Sequence, residues 1–141
     1  MNFKLLRPTI NTLFHIDWSW FERNGLDVQS LIRNQLSPNL LRKFADGQSP
    51  EEVDYIDPTT GEVFRLDSLR ETILAESRWE PDFINNSLPL MQGVFRVFLA
   101  ENNRPLSPVD LAHHLGRRDP ETILRVLTAT GVQNGVVPVR K

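Results

Sequence analysis

The chain has no cysteine. That removes disulfide bonds, thiolate nucleophiles and cysteine-ligated zinc as sources of stability or chemistry, and it fits a reducing compartment. No apolar run approaches the roughly 20 residues of a membrane-spanning helix. The opening stretch, MNFKLLRPTINTLF, lacks the apolar segment of a secretory signal. The expectation is a cytoplasmic protein with no membrane partner. Catalytic signatures are missing as well. There is no zinc-protease His-Glu-x-x-His, no phosphate-binding glycine loop ending in Gly-Lys-Ser/Thr, and no Gly-x-Ser-x-Gly nucleophile elbow. No repeat or low-complexity segment interrupts the 141 residues.

What is present is ordinary for a globular chain: 40% hydrophobic, 24% charged and 9% aromatic residues, enough to build a core. The net charge of −2 conceals an asymmetry. Residues 1–87 hold 9 Lys+Arg against 14 Asp+Glu, and residues 88–141 hold 7 against 4. An acidic part beside a basic part suits a polyanion-facing C-terminal region, but a difference of this size is common by chance, and that reading is preferred.

In the acidic part, Phe14 and Ile16 alternate with His15 and Asp17, which predicts a half-buried strand. Asp17 is placed to cap a short helix closed by Gly25, and Asp27 to cap a second with Val28, Leu31, Ile32 and Leu36 on one face. Ser37, Pro38 and Gly47 repeat that grammar for a third. A β-hairpin is predicted over 53–66. Pro58 and Gly61 suit the turn, so Asp57 pairs with Glu62, Ile56 with Val63, Tyr55 with Phe64, Asp54 with Arg65 and Val53 with Leu66. Val53, Tyr55, Phe64 and Leu66 then share the core-facing side. Asp67 caps a helix with Leu69, Ile73 and Leu74 inward. The polar, aperiodic stretch 78–87 is the expected boundary between lobes.

Beyond it, Met91, Val94, Phe95 and Phe98 form one helical stripe that Val97 and Leu99 widen, so this helix should be central. Ser107 and Pro108 open a second helix with Leu111, Ala112 and Leu115 inward, and Gly116 ends it. Arg117 and Arg118 form a turn. Asp119 and Pro120 open a third helix with Ile123, Leu124 and Leu127 inward. Asn134-Gly135 signals a tight hairpin turn between Val132 and Val136–Val139.

This order, carried by Ala112, Gly116, the Asp119-Pro120 helix start and the Asn134-Gly135 turn, resembles the winged helix-turn-helix superfamily over residues 88–140. Ile123 stands seven residues after Gly116, one further than the family's usual spacing. The resemblance implies duplex DNA as the partner, read by the exposed face of the third helix. That implies Thr122 and Arg125 at the bases or phosphates, with Arg117, Arg118, Arg140 and Lys141 supplying further charge. Glu121 would repel phosphate, and the cations are few. The alternative is a protein-docking adaptor, with a protein partner or a homodimer contacting the same lobe.

Chemistry has few candidates. His15 and Asp17 share one strand face, and a small hydrolase using them is a third reading. A capping Asp17 beside a hydrogen-bonded His15 needs no chemistry and is preferred. His113 and His114 are adjacent on a helix and diverge, so they do not converge on one ion. Trp18, Trp20 and Phe21 could stack on bases but are assigned to core packing. The expectation is thus an α+β protein: a mostly helical acidic lobe, 1–87, with one β-hairpin, then a winged-helix-like lobe, 88–141. It is expected to be non-enzymatic and to bind nucleic acid or act in regulation, without cofactor or metal.

Overall fold

The computed structural model describes residues 7–44, 51–116, 119–129 and 131–140. Among them are seven α-helices and two small antiparallel sheets, a mixture of helix and strand as expected for α+β. The order is β1 (Phe14–Ile16), α1 (Trp18–Arg23), α2 (Val28–Arg33), α3 (Pro38–Leu41), β2 (Glu52–Ile56), β3 (Val63–Asp67) and α4 (Ser68–Ala75). A 3-10 turn (Ser77–Trp79), α5 (Leu90–Ala100), α6 (Pro108–Leu115), α7 (Pro120–Thr128) and β4 (Val136–Pro138) follow. No helix among the described residues is long and apolar enough to cross a membrane.

The β2–β3 hairpin has the register the sequence dictates, from Ile56 opposite Val63 to Val53 opposite Leu66. The turn sets it. Asp57 N donates to Glu62 O at 2.8 Å, the Asp57 carboxylate accepts from Thr59 N at 2.7 Å, and Gly61 takes a positive φ of 75°. Leu66 is buried on the inner side, while Ile56 and Val63 point outward and are exposed. Asp67 ends β3 and accepts from Arg70 N, capping α4.

The second sheet departs from expectation. Val132 and Val136–Val139 do not form a two-stranded hairpin of their own. Asn134 and Gly135 do make a tight turn, both with positive φ, but among the described residues it closes one bridge, Gln133 to Val136. Strand β4 pairs instead with β1, Phe14 opposite Pro138 and Ile16 opposite Val136. Burial decides this. Phe14, Ile16 and Val136 are all at most 2% exposed, whereas Val132 is 40% exposed. The sheet thereby removes three apolar side chains from water, the dominant favourable term in folding.

The free edge of β1 is completed by residues after α5. Phe14 exchanges both backbone hydrogen bonds with Leu106, at 2.8 and 3.0 Å. One step further on, the side-chain amide of Asn103 takes the place of a backbone. Its Oδ1 accepts from Ile16 N and its Nδ2 donates to Ile16 O, both at 2.8 Å. Asn102 and Asn103 leave α5 with φ of 52° and 59°, a left-handed exit that asparagine tolerates better than most residues.

One buried cluster contains Phe14, Ile16, Ile32, Leu69 and Ile73 together with Val94, Phe95, Phe98, Leu106, Leu111, Leu115, Ile123 and Leu127. Core and sheet therefore cross the expected boundary at residue 87. The stretch 78–87 is itself docked: Phe83 is 3% exposed, and its carbonyl accepts from Arg96 Nη1. Helix α5 carries the stripe expected of it, with Val94, Phe95, Val97 and Phe98 buried and Met91 half-buried against the core. Gly93 lets α6 approach closely, since a Cβ there would stand 2.9 Å from Leu115 Cδ2. Ser37 holds the N-cap position of α3 before Pro38, but its hydroxyl donates to Glu80 rather than capping the helix. Gly47 lies outside the described residues.

Candidate nucleic-acid interface

Helices α6 and α7 are built by strong local signals. Ser107 Oγ accepts from Asp110 N and Asp110 Oδ2 accepts from Ser107 N, a reciprocal capping box. Gly116 ends α6 in the left-handed conformation at φ 76°. Asp119 occupies the N-cap position of α7 and accepts from the Thr122 hydroxyl at 3.3 Å; its side chain makes no capping bond to a backbone N–H. Ile123 and Leu127 turn inward and are buried.

The remaining face of α7 is what a partner meets. Glu121, Arg125 and Thr128 are exposed along one stripe, and Thr122 is half-buried beside it. Thr128 Oγ1 donates back to Leu124 O, which turns that hydroxyl toward its own helix. Arg125 is thus the cation this stripe offers, one turn beyond Glu121. Arg117, Arg118 and Lys141 lie outside the described residues.

Arg140 is exposed, and it lines a hollow of about 750 Å³ with Trp20, Arg23, Val132, Val137 and Asp17. The two arginines and the tryptophan come from opposite ends of the sequence, joined by the β1–β4 pairing. Sequence reasoning assigned Trp20 to core packing and did not name Arg23. The available signal was their i,i+3 spacing on α1, which puts both on one face. Trp20 packs edge-on against buried Phe21, so one edge is held and the indole stays half-buried at the hollow.

The electrostatics of the hollow are mixed. Arg23 Nη2 pairs with Asp17 Oδ2 at 3.0 Å, while Asp17 Oδ1 accepts from Ser19 N and Oγ. Hydrogen bonds from Ser19 and Arg23 hold the Asp17 carboxyl below its ordinary value. Oδ1 thus caps α1 and Oδ2 pairs with Arg23, the structural kind of role preferred for Asp17. His15 lies opposite Val137 in the sheet. Among the described residues, no cluster of three or more His, Asp or Glu is arranged to hold a metal ion.

The Asn134-Gly135 turn is not a projecting tip. Gly135 is buried, its carbonyl accepts from Asp17 N at 2.8 Å, and a Cβ on it would stand 2.9 Å from the Phe21 ring. Helix α1 and its N-cap therefore cover the Asn134-Gly135 turn. No family model, no curated protein and no solved structure matches this chain.

Proposed function

We propose that this chain is a non-enzymatic nucleic-acid-binding or regulatory protein acting through α6 and α7. The observation that carries the reading is the division of α7. Ile123 and Leu127 anchor it in the core, while Glu121, Arg125 and Thr128 face solvent immediately after a glycine-terminated helix. An outward face of this kind suits a reading helix in a resemblance to the winged helix-turn-helix superfamily, with Thr122 and Arg125 proposed to meet the duplex and Arg117, Arg118, Arg140 and Lys141 proposed to supply further charge. A cytoplasmic location belongs to the same proposal.

The charge supply predicts weak, salt-sensitive binding by a monomer. Each phosphate neutralised contributes about −0.9 to the slope of log K against log salt, so the slope should correspond to only a few phosphates. Fluorescence anisotropy with random duplex at two salt concentrations measures it. Replacing Arg117, Arg118 and Arg125 together by Ala should abolish binding. Binding that survives unchanged would move the interface elsewhere.

A protein-docking adaptor is the second reading, and the buried Asn134-Gly135 turn favours it. With Gly135 held beneath Phe21, that turn is not free to enter a groove, and the nearby hollow offers apolar Val132, Val137 and Trp20 between its arginines. Absence of duplex binding at low salt would leave this reading in place. Loss of partner binding, or of a dimer seen by sedimentation, in Trp20→Ala would then support it.

A further inference from the structure

A second cavity, of about 470 Å³, lies between the end of α2, the start of α3, the loop 80–83 and α5. Its distinguishing group is Arg96. The side chain is half-buried and clamped by two neutral acceptors: Nε donates to Gln35 Oε1 at 2.9 Å and Nη1 donates to Phe83 O at 2.8 Å. The guanidinium carbon stands 5.0 Å from the Phe83 ring centroid. Gln35 is itself fixed. It is 6% exposed, its Nε2 donates to Leu31 O, and Gln92 donates to the same Oε1 that Arg96 holds. A rigid second layer of this kind pre-organises a binding group.

No carboxylate among the described residues forms a salt bridge with Arg96, and its Nη2 donates to none of them. Arg96 is thus met by neutral acceptors, an aromatic ring and the more distant charge of Glu80, with no carboxylate of the described residues in contact. Burial accordingly pulls Arg96 down from its ordinary value, opposed by the charge of Glu80. Structural arginines in cores are ordinarily paired. This one lines a cavity of ligand size with Nε and Nη1 already held, which leaves Nη2 to donate a charge-assisted hydrogen bond to a carboxylate.

The same cavity is lined by Glu80 and Asp82. Glu80 Oε2 accepts from Ser37 Oγ at 3.2 Å, and Asp82 is exposed. Two carboxylates oppose a multiply charged anion such as a phosphate monoester, but they complement a ligand that carries an ammonium beside its carboxylate. Leu36 and Phe83 supply apolar lining for the remainder. We propose that this cavity receives a small zwitterion of the α-amino-acid class, its carboxylate on Arg96 and its ammonium at Glu80 and Asp82. The site shares no residue with α7 and stands independently of the nucleic-acid reading.

The test is titration of the full chain, by calorimetry and by amide NMR, with each of the twenty free amino acids. Every ligand is repeated as its α-carboxamide and its N-acetyl derivative, with acetate and inorganic phosphate as anion probes. At least one free amino acid should bind saturably, with shifts at Gln35, Phe83 and Arg96. Losing either charge should weaken binding about tenfold or more, the effect of one charge-assisted hydrogen bond. Arg96→Gln should remove binding. Should that variant fail to fold, Asp82→Asn, at an exposed position, should weaken the free amino acid while leaving its N-acetyl derivative unaffected. The proposal is overturned if no amino acid binds, if carboxamides or N-acetyl derivatives bind as well as the parent, or if phosphate binds more tightly than all of them.

Discussion

The two small sheets of this protein are made in opposite ways. The β2–β3 hairpin joins neighbours in sequence, and the loop Asp57–Glu62 alone fixes which residues face each other. The β1–β4 sheet joins Phe14 to Pro138 and Ile16 to Val136, with all the described helices between them in the chain. Its register is fixed by burial of Phe14, Ile16 and Val136, by Leu106 on the far edge of β1, and by one asparagine amide. A local sheet carries its instructions in its turn. A distant one is specified by the core it completes.

This contrast predicts unequal responses to mutation. Phe14→Ala should have the largest effect, about 3–5 kcal/mol, because it removes a fully buried ring where the sheet meets α5. Chemical denaturation checks it, and a loss below about 1 kcal/mol would mean that β1 is not part of the core. Asn103→Ala should cost about 2–4 kcal/mol. It strips hydrogen bonds from both backbone groups of Ile16 and leaves alanine in a left-handed conformation. Hydrogen exchange at Ile16 N–H sharpens the point, since its protection should fall more than that of Tyr55 in the hairpin.

A smaller effect is expected on acidification. Asp17, capping α1 beside β1, has its folded pKa depressed by Ser19 and Arg23, and Asp27 by Ser30. The stabilisation from a depressed carboxyl is complete above its ordinary value of 3.8 and is lost as pH falls through the lower folded value. Acid titration of wild type and Asp17→Asn measures it, and the variant should lose less stability across that window. The smallest effect belongs to the hairpin. Arg65→Ala breaks a pair with Asp54 at 3.1 Å in which both side chains are 62% exposed. Its cost should stay below about 1 kcal/mol in the same denaturation assay.

The same contrast explains what could be read from the residues. The hairpin register, the Asp67 cap, the α5 stripe and the Ser107–Gly116 helix follow from signals a few residues long, and the structure contains each. The partner of Val136–Pro138 was not legible, because three apolar residues fit many edges and Asn134-Gly135 points to a local one. The role of Asn103 escaped for a related reason: an Asn-Asn pair after a helix signals a left-handed exit, not an amide completing a remote strand. At the candidate interface, the outward positions of Arg125 and Thr128 follow from helical spacing. The gathering of Trp20, Arg23 and Arg140 does not, since it depends on the long-range sheet.

The pairing of Phe14 with Pro138 also sets a schedule for biogenesis. During synthesis, β1 leaves the ribosome well before residues 136–138 and must wait for them before it gains that neighbour. Until then Phe14 and Ile16 stay without their strand partner, while the β2–β3 hairpin closes over a short loop. Contacts of such wide sequence separation slow folding because chain entropy is lost before they form. Between the completion of residue 67 and that of residues 136–138, the nascent chain should carry a formed hairpin and an unpaired β1, an interval in which a chaperone that shields apolar strands would matter most.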